Sequence, residues 1–438
     1  MNDAPLAGSG LEFVKRDGRW ADLERLRSGN PMYDATIEEI KGRRIRVGDH
    51  WLADFASCNY LGFDLEPEIM DAIAPEVARW GTHPSWSRLL GNPSLYPQIE
   101  EKLTALLDAP DTLVLPTITH IHMSVLPILA GKGMIFLDSQ AHKTIYDGSM
   151  VARGFGATVQ RFRANDHEHL RELLAAAPGG ISKIVAMDGV NSMTGNAPDL
   201  KAFAAVAREF GALLYVDDAH GFGVIGERGV NEKSPYGLKG NAIVKYSGET
   251  YDNVVLVGGF SKSYSSLLAF LALPTWLKNH LKVSAAPYLY SGPAPTASLA
   301  TVNAGLDLNE KRGDDIRADL HRKTMKVLDH VRGLGVYTPN TGSTPVIELP
   351  LAEGEDIDAV GKLLWDRGIY VTLAAYPLVP RDQVGFRAQV TAANSDQELD
   401  ELNAVITELN TAGKLRRDSS FGSGSSFGSG SSVGSSAQ

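Results

Sequence analysis

The sequence predicts an α/β protein built on a mostly parallel sheet, followed by a smaller C-terminal α+β unit. Three observations predict it. Between residues 51 and about 290, short apolar runs without polar alternation recur, as expected of strands buried on both faces of a helix-covered parallel sheet. Helical stretches stand between these runs, giving the strand–helix–strand alternation of α/β proteins. From about residue 300 the pattern changes to a charged helical stretch, two further strand candidates and a final helix.

The strand candidates of the large unit are Thr112–Leu115, Met134–Asp138, Ile181–Met187, Leu213–Val216 and Val254–Val257. Between two of them, residues Asp199–Phe210 predict a helix. Asp199 can cap it, Leu200, Phe203 and Ala207 share one face, and Gly211 ends it. The second unit opens with a helical stretch, Leu306–Val331, and continues through strand candidates Val346–Leu349 and Gly368–Leu373. Its last helix starts at Ser395, with Glu398 placed to complete a capping box. Leu399, Leu402, Val405, Ile406 and Leu409 follow at helical spacing. The expected plan is an N-terminal arm (1–50), a large domain (51–299), a small C-terminal domain (300–414) and a flexible tail (415–438). The tail repeats Ser-Ser-Phe-Gly-Ser-Gly at 419–424 and 425–430, a composition that cannot offset chain entropy by burial.

With 438 residues, 43% hydrophobic and 21% charged, the chain has an ordinary globular composition. The formal net charge of −10 and the mixing of signs exclude a nucleic-acid footprint of clustered Lys and Arg. Cys58 is the single cysteine, so neither an intramolecular disulfide nor a cysteine metal cluster can form. No apolar run reaches the roughly 18 residues of a membrane span, and Met1–Gly10 lacks the basic start and apolar run of a signal peptide. A cytoplasmic protein is expected. The basic run Lys41-Gly-Arg-Arg-Ile-Arg reads either as a solvated charged strand or as an attractor for a phosphate-bearing substrate.

The chemistry concentrates at strand ends. Asn253-Val-Val-Leu-Val-Gly-Gly-Phe-Ser-Lys-Ser-Tyr carries Lys262, and Val216-Asp-Asp-Ala-His-Gly carries Asp217 and His220. Both runs read as buried strands emptying into polar turns at one sheet edge. Together they supply the groups that hold pyridoxal phosphate: Lys for a Schiff base, Asp for the ring nitrogen, His for the ring oxygen or face. A carboxylate at the pyridine nitrogen keeps it protonated and makes the ring an electron sink. Asp218 points to the opposite face if strand alternation persists, so only one Asp serves. Each residue alone also fits a plain polar turn. His142, after another strand, could stack on a flat cofactor or sit in a surface turn. Gly258, Gly259, Ser261, Ser263, Ser265 and Ser266 around Lys262 permit close backbone approach and offer donors to a phosphate.

In order, Asn59-Tyr-Leu-Gly-Phe, Ser87-Arg-Leu-Leu-Gly-Asn, Ala141-His142 with Asp147-Gly148, Asp188-Gly-Val-Asn-Ser-Met-Thr-Gly-Asn-Ala-Pro, Val216-Asp-Asp-Ala-His-Gly-Phe-Gly-Val-Ile-Gly, Ser261-Lys262 and Arg387-Ala-Gln-Val-Thr-Ala-Ala-Asn-Ser resemble the α-oxoamine synthases. This pyridoxal-phosphate family includes 8-amino-7-oxononanoate synthase, 2-amino-3-ketobutyrate CoA ligase, 5-aminolevulinate synthase and serine palmitoyltransferase. The resemblance spans roughly residues 55 to 410. It implies a type I aminotransferase-like fold and a homodimer. It implies Lys262 as the Schiff-base and proton-transfer residue, Asp217 at the ring nitrogen, His220 and Ser192 at the ring oxygen, and His142 stacked on the ring. Asn59 and Arg387 become candidates for the amino-acid carboxylate, with Ser87 a further substrate contact; a planar guanidinium suits a carboxylate in two-point fashion.

The chain departs from the family around the phosphate. Gly259 stands where a Thr is usual, three residues before the Lys. The usual glycine-rich turn reads Pro116-Thr-Ile-Thr-His-Ile-His, and the second-subunit contact reads Tyr290-Ser-Gly-Pro. Thr117, Thr119, His120, His122, Ser261, Ser263 and Ser291 are the candidate replacement contacts; His120 and His122 also have the spacing of metal ligands on a strand, with no third ligand evident. The expected reaction is decarboxylative condensation of a small L-amino acid or glycine with an acyl thioester, carried by CoA or an acyl carrier protein, giving an α-aminoketone. The alternatives are another pyridoxal-phosphate reaction on the same fold (transamination, racemisation or lyase chemistry) and a non-catalytic partner subunit.

Overall fold

The computed structural model describes residues 21–229, 232 and 234–419; most of the repeated tail lies outside the described residues. The described chain opens with a helix, Ala21–Gly29, followed by an antiparallel meander of β1 (Glu39–Lys41), β2 (Arg44–Val47) and β3 (His50–Asp54). The large unit then supplies β4 (Thr112–Leu115), β5 (Met134–Asp138), β6 (Thr158–Phe162), β7 (Lys183–Asp188), β8 (Leu213–Asp217), β9 (Val254–Gly259) and β10 (Ala269–Ala272). The C-terminal part adds β11 (Val346–Pro350), β12 (Ile369–Tyr370), β13 (Thr372–Ala374) and β14 (Gly385–Gln389).

Seven strands form the main sheet in the order β4-β10-β9-β8-β7-β5-β6. It is parallel except for β10, which runs antiparallel between β4 and β9. Alternate residues of each strand enter opposite cores. Phe136, Val185, Val216 and Leu256 pack on one face, and Ile135, Ile184, Tyr215 and Val255 on the other. That two-sided burial is why these strands read as unbroken apolar runs. The expected helix is Leu200–Glu209, with the Asp199 side chain accepting from the Ala202 backbone N–H. The last helix, Asp396–Thr411, has the full Ser395/Glu398 capping box, and its five predicted apolar positions are buried.

The helix Thr296–Gly333 runs for 38 residues and crosses the expected domain boundary at 299/300. At its far end, β11, β14 and β13 form a small antiparallel sheet. The expected N-terminal arm joins this side of the molecule, because β3 pairs in parallel with β12. The basic run is committed to internal ion pairs. Arg43 meets Asp64 at 2.5 Å, Arg44 meets Glu401 at 2.6 Å and Arg46 meets Glu38 at 2.5 Å. Substrate attraction by this run is therefore not supported: its arginines are neutralised by neighbouring carboxylates. Beyond the helix at 396–411, Leu415 and Arg417 still bridge to Leu351 and Val336, so ordered pairing continues past the expected start of the tail. Among the described residues no helix is long and apolar enough to cross a membrane.

Candidate active site

Strands β4, β7, β8 and β9 end at the same edge of the sheet, where α/β proteins place ligands. A cavity of about 290 Å³ opens there, lined by Thr117, Ile118, Thr119, His142, Asp188, Ser192, Asp217, His220, Ser261 and Lys262 among others. The tertiary structure thus brings together eight of the residues singled out from sequence: Lys262, Asp217, His220, His142, Ser192, Ser261, Thr117 and Thr119.

The two aspartates of the Asp217-Asp218 pair divide as strand alternation requires. Asp217 closes β8 and faces the cavity. Asp218 turns away and accepts the backbone N–H groups of Val190 at 3.0 Å and Ile243 at 2.7 Å, tying two loops under the site. Burial pushes its carboxyl up to about 7. Gly221 is required here, because a Cβ would lie 2.2 Å from Asp218 Oδ1.

Asp217 is gripped from behind. His122 Nε2 lies 2.9 Å from its Oδ2, and the Ala219 N–H reaches its Oδ1 at 3.0 Å. Burial would raise this carboxyl, but the His122 hydrogen bond and the positive charge of Lys262 hold it below its ordinary value. The neighbouring Asp188, paired with Asp217 in the β7–β8 ladder, goes the other way. Desolvation and the Asp217 charge raise it well above the usual range, although the His142 backbone N–H donates to it at 2.9 Å. The environment thus pushes the two carboxyls apart, Asp217 toward its ionised form and Asp188 toward its protonated form. His220 is held well below its ordinary value by burial, then by the charges of Lys262 and Arg387.

The remaining candidates lie elsewhere. Arg387, on β14, donates to the Ser192 carbonyl at 2.6 Å and so sits behind a cavity-lining residue. Asn59 donates to Asp64 at 2.9 Å and adjoins Tyr60, which touches His220. Ser87 donates to the Leu289 carbonyl at 2.8 Å, away from the cavity. His120 and Ser291 line a second, apolar hollow with Met123 and Tyr290. The departure has a simple cause: Thr119 and His120 are on a helix, Ile118–Ala130, where successive side chains diverge by roughly 100°. For the same reason His120 and His122 are not spaced as strand metal ligands, and no cluster of three or more metal-ligating residues occurs among the described residues. His122 is fully buried and is not a phosphate contact; it supports Asp217. Ser263 is also fully buried, with its hydroxyl unpaired. Sequence reasoning missed Asp188 and Tyr60 as site residues; Asp188 ends a recognised strand run, which was the available signal.

The donor set fits pyridoxal phosphate. An amine, an ionised carboxylate, imidazoles and hydroxyls converge on one cavity. The first turn of a 13-residue helix, capped by Thr117, contributes Thr117, Ile118 and Thr119 to the wall, and a helix N-terminus favours a phosphate. At Gly259 a Cβ would lie 2.5 Å from Ile118 Cδ1, so the glycine and this helix start fit each other.

Comparison with known proteins agrees. Residues 52–406 match the family profile described as aminotransferase class I and II. The chain is 31% identical to 8-amino-7-oxononanoate synthase of Chromobacterium violaceum, over 84% of this chain and 92% of that one. It is 28% identical to serine palmitoyltransferase of Bacteriovorax stolpii, over 85% of this chain and 86% of that one. The solved structure of Sphingomonas wittichii serine palmitoyltransferase superposes with a TM-score of 0.82 at 24% identity, covering 91% of this chain and 98% of that one.

Proposed function

The chain belongs to the class I and II aminotransferase family, in its α-oxoamine synthase branch, and from that premise we propose how its own residues carry out decarboxylative condensation of a small L-amino acid or glycine with an acyl thioester. The observation that carries the reading is the convergence of Lys262, Asp217, His142, His220 and Ser192 on one cavity. Pyridoxal phosphate, when bound, supplies the electron sink that makes the amino-acid Cα–H acidic.

Lys262, at the cavity wall, would hold the cofactor through its amine. The same amine would take the Cα proton of the bound amino acid. The electron pair left at Cα forms a bond to the thioester carbonyl carbon, and the thiol leaves with the C–S pair. The carboxylate departs as CO2, and Cα takes a proton to give the α-aminoketone. Asp217, held by His122 and facing the cavity, would hold the ring nitrogen in its protonated form. His142 would offer its flat face to the ring, and Ser192 and His220 would hold its oxygen. Arg387 and Asn59 would receive the amino-acid carboxylate; Arg387 would exchange its contacts with the Ser192 carbonyl and Met193 Sδ for the carboxylate. Thr119 and Ser261 with the helix start at Ile118 hold the phosphate.

A homodimer belongs to the same reading. Tyr290 is 83% and Trp276 70% exposed, and Leu267 is both a cavity wall and 56% exposed; a second copy would cover such surface. A cytoplasmic location accords with one half-buried cysteine and no disulfide.

The test is the visible absorption spectrum of the purified protein, titrated with glycine and a panel of L-amino acids, followed by CO2 release with acyl-CoA and acyl carrier protein. A band shift with one amino acid and thioester-dependent CO2 release are expected. Keto-acid formation or racemisation without a thioester requirement would replace this reading by another reaction on the same fold.

A further inference from the structure

His220 reaches the cavity wall with one face of its ring committed elsewhere. Its Nδ1 lies 2.7 Å from the Tyr60 hydroxyl. That hydroxyl also lies 2.8 Å from Gln389 Oε1, with the Cys58 thiol, a weak hydrogen-bonding group, as a third neighbour. Gln389 in turn donates its Nε2 amide to the Ala56 carbonyl at 2.9 Å. Tyr60 and Gln389 are fully buried.

These contacts determine where each proton sits. The Ala56 carbonyl can only accept, so the amide nitrogen of Gln389 must face it and the amide oxygen must face Tyr60. That oxygen also can only accept, so the one phenolic proton of Tyr60 is spent on Gln389. Between Tyr60 and His220 the proton must then come from the imidazole: Nδ1 carries hydrogen and donates to the phenolic oxygen. Reversing the Gln389 amide would free the Tyr60 proton but set two carbonyl oxygens against each other in a buried site, leaving both without a donor. The phenol stays protonated because burial raises it well above its ordinary value.

We propose that Tyr60 and Gln389 are positioning residues that lock His220 as the neutral Nδ1–H tautomer, so that Nε2 meets the cavity as a bare hydrogen-bond acceptor. No protein group among the described residues is hydrogen-bonded to Nε2, and His220 lines the cavity. Burial and the nearby positive charges keep the ring neutral. The partner selected by such a wall is a proton-bearing group, a hydroxyl or an ammonium, on the cofactor or the bound amino acid. An anionic oxygen is disfavoured there unless it brings a proton. The proposal deepens the reading of this cavity as the reaction site, and it is tested by the protonation pattern of the protein itself, before any turnover.

The experiment is a two-bond nitrogen–proton correlation spectrum of the full-length protein labelled with 15N-histidine, before and after loading with pyridoxal phosphate. The His220 signals are assigned by their loss in His220→Gln. A pyrrole-type Nδ1 and a pyridine-type Nε2 are expected in both states. In Gln389→Met the Tyr60 proton loses its acceptor and turns to Nδ1, so the two nitrogen types exchange. Should that variant fail to fold, Tyr60→Phe removes the acceptor of the Nδ1 proton, and the exclusive Nδ1–H pattern is lost. A protonated Nε2 in the parent, or an unchanged pattern in a folded Gln389→Met or Tyr60→Phe protein, overturns the lock. Either result leaves the acyl-transfer reading standing, because thioester-dependent CO2 release is measured separately.

Discussion

His122 and Asp217 are joined by a 2.9 Å contact between imidazole Nε2 and carboxylate Oδ2, and the other imidazole nitrogen lies 2.9 Å from the Tyr215 hydroxyl. The His122 ring is fully buried, on the helix Ile118–Ala130, while Asp217 and Tyr215 come from β8. The carboxylate at the cavity is thus aimed by a residue outside it.

Replacing His122 with Leu removes that donor and leaves burial opposed chiefly by the charge of Lys262 and the Ala219 N–H, so the Asp217 carboxyl rises. A hydrogen bond to a charged group contributes about 1.5–3 kcal/mol, so kcat/KM should fall roughly 10- to 100-fold. The absorption band of the loaded enzyme should also become pH-dependent over a range where the parent's is constant. An unchanged spectrum and rate would remove His122 from the support of the ring-nitrogen site.

Arg387→Lys keeps the positive charge and loses the planar fork. The amino-acid KM should rise by about 10-fold or more, as one charge-assisted contact weakens, with the thioester KM little changed. Equal effects on both substrates would place Arg387 in general structural support.

Gly259→Thr should push Ile118, whose Cδ1 lies 2.5 Å from a Cβ at that position, into the cavity wall. Overpacking of this kind costs about 1–3 kcal/mol. Affinity for pyridoxal phosphate, measured by equilibrium titration, should drop and recover in the double variant Gly259→Thr with Ile118→Ala. Strict additivity of the two changes would show that the residues do not share the site.

Glu348 stands opposite Arg387 in the β11–β14 ladder, 2% exposed, with Oε1 unpaired. Burial pushes it up to about 7, against the pull of Arg387. A carboxyl with a raised folded-state value contributes stability that is present below the unfolded-state value and lost as pH rises through about 7. The shift corresponds to about 3 kcal/mol. In urea melts from pH 4 to pH 8, Glu348→Gln should remove that much of the decline relative to the parent. A pH-independent difference between the two proteins would show that Glu348 is not protonated in the native state.

The sequence by itself determined the class of the fold, most of the parallel strands and the caps of two helices. These are local consequences of residue order: a strand buried on both faces has no polar position to alternate, and a cap lies within three residues of its target. It also determined the groups at the strand ends, because an ordered series of motifs places Lys262, Asp217, His220 and His142 at one edge. Three features were not legible. Ala269–Ala272 is as apolar as a helix core, so nothing local marked it as the antiparallel strand β10. Thr158–Phe162 has only Phe162 buried, so β6 lacked the apolar run that marked the other strands. The polar N-terminal segment gave no sign that β3 would pair with β12, more than 300 residues away in sequence.

Only the tertiary structure decided what stands behind the cavity. His122 supports Asp217 from a helix turn that sequence spacing made look like a strand. Tyr60 and Gln389 meet at His220 from positions separated by 329 residues. The physical reason is that a buried hydrogen bond depends on where side chains are brought together, whereas a periodic pattern records only which face of an element is buried.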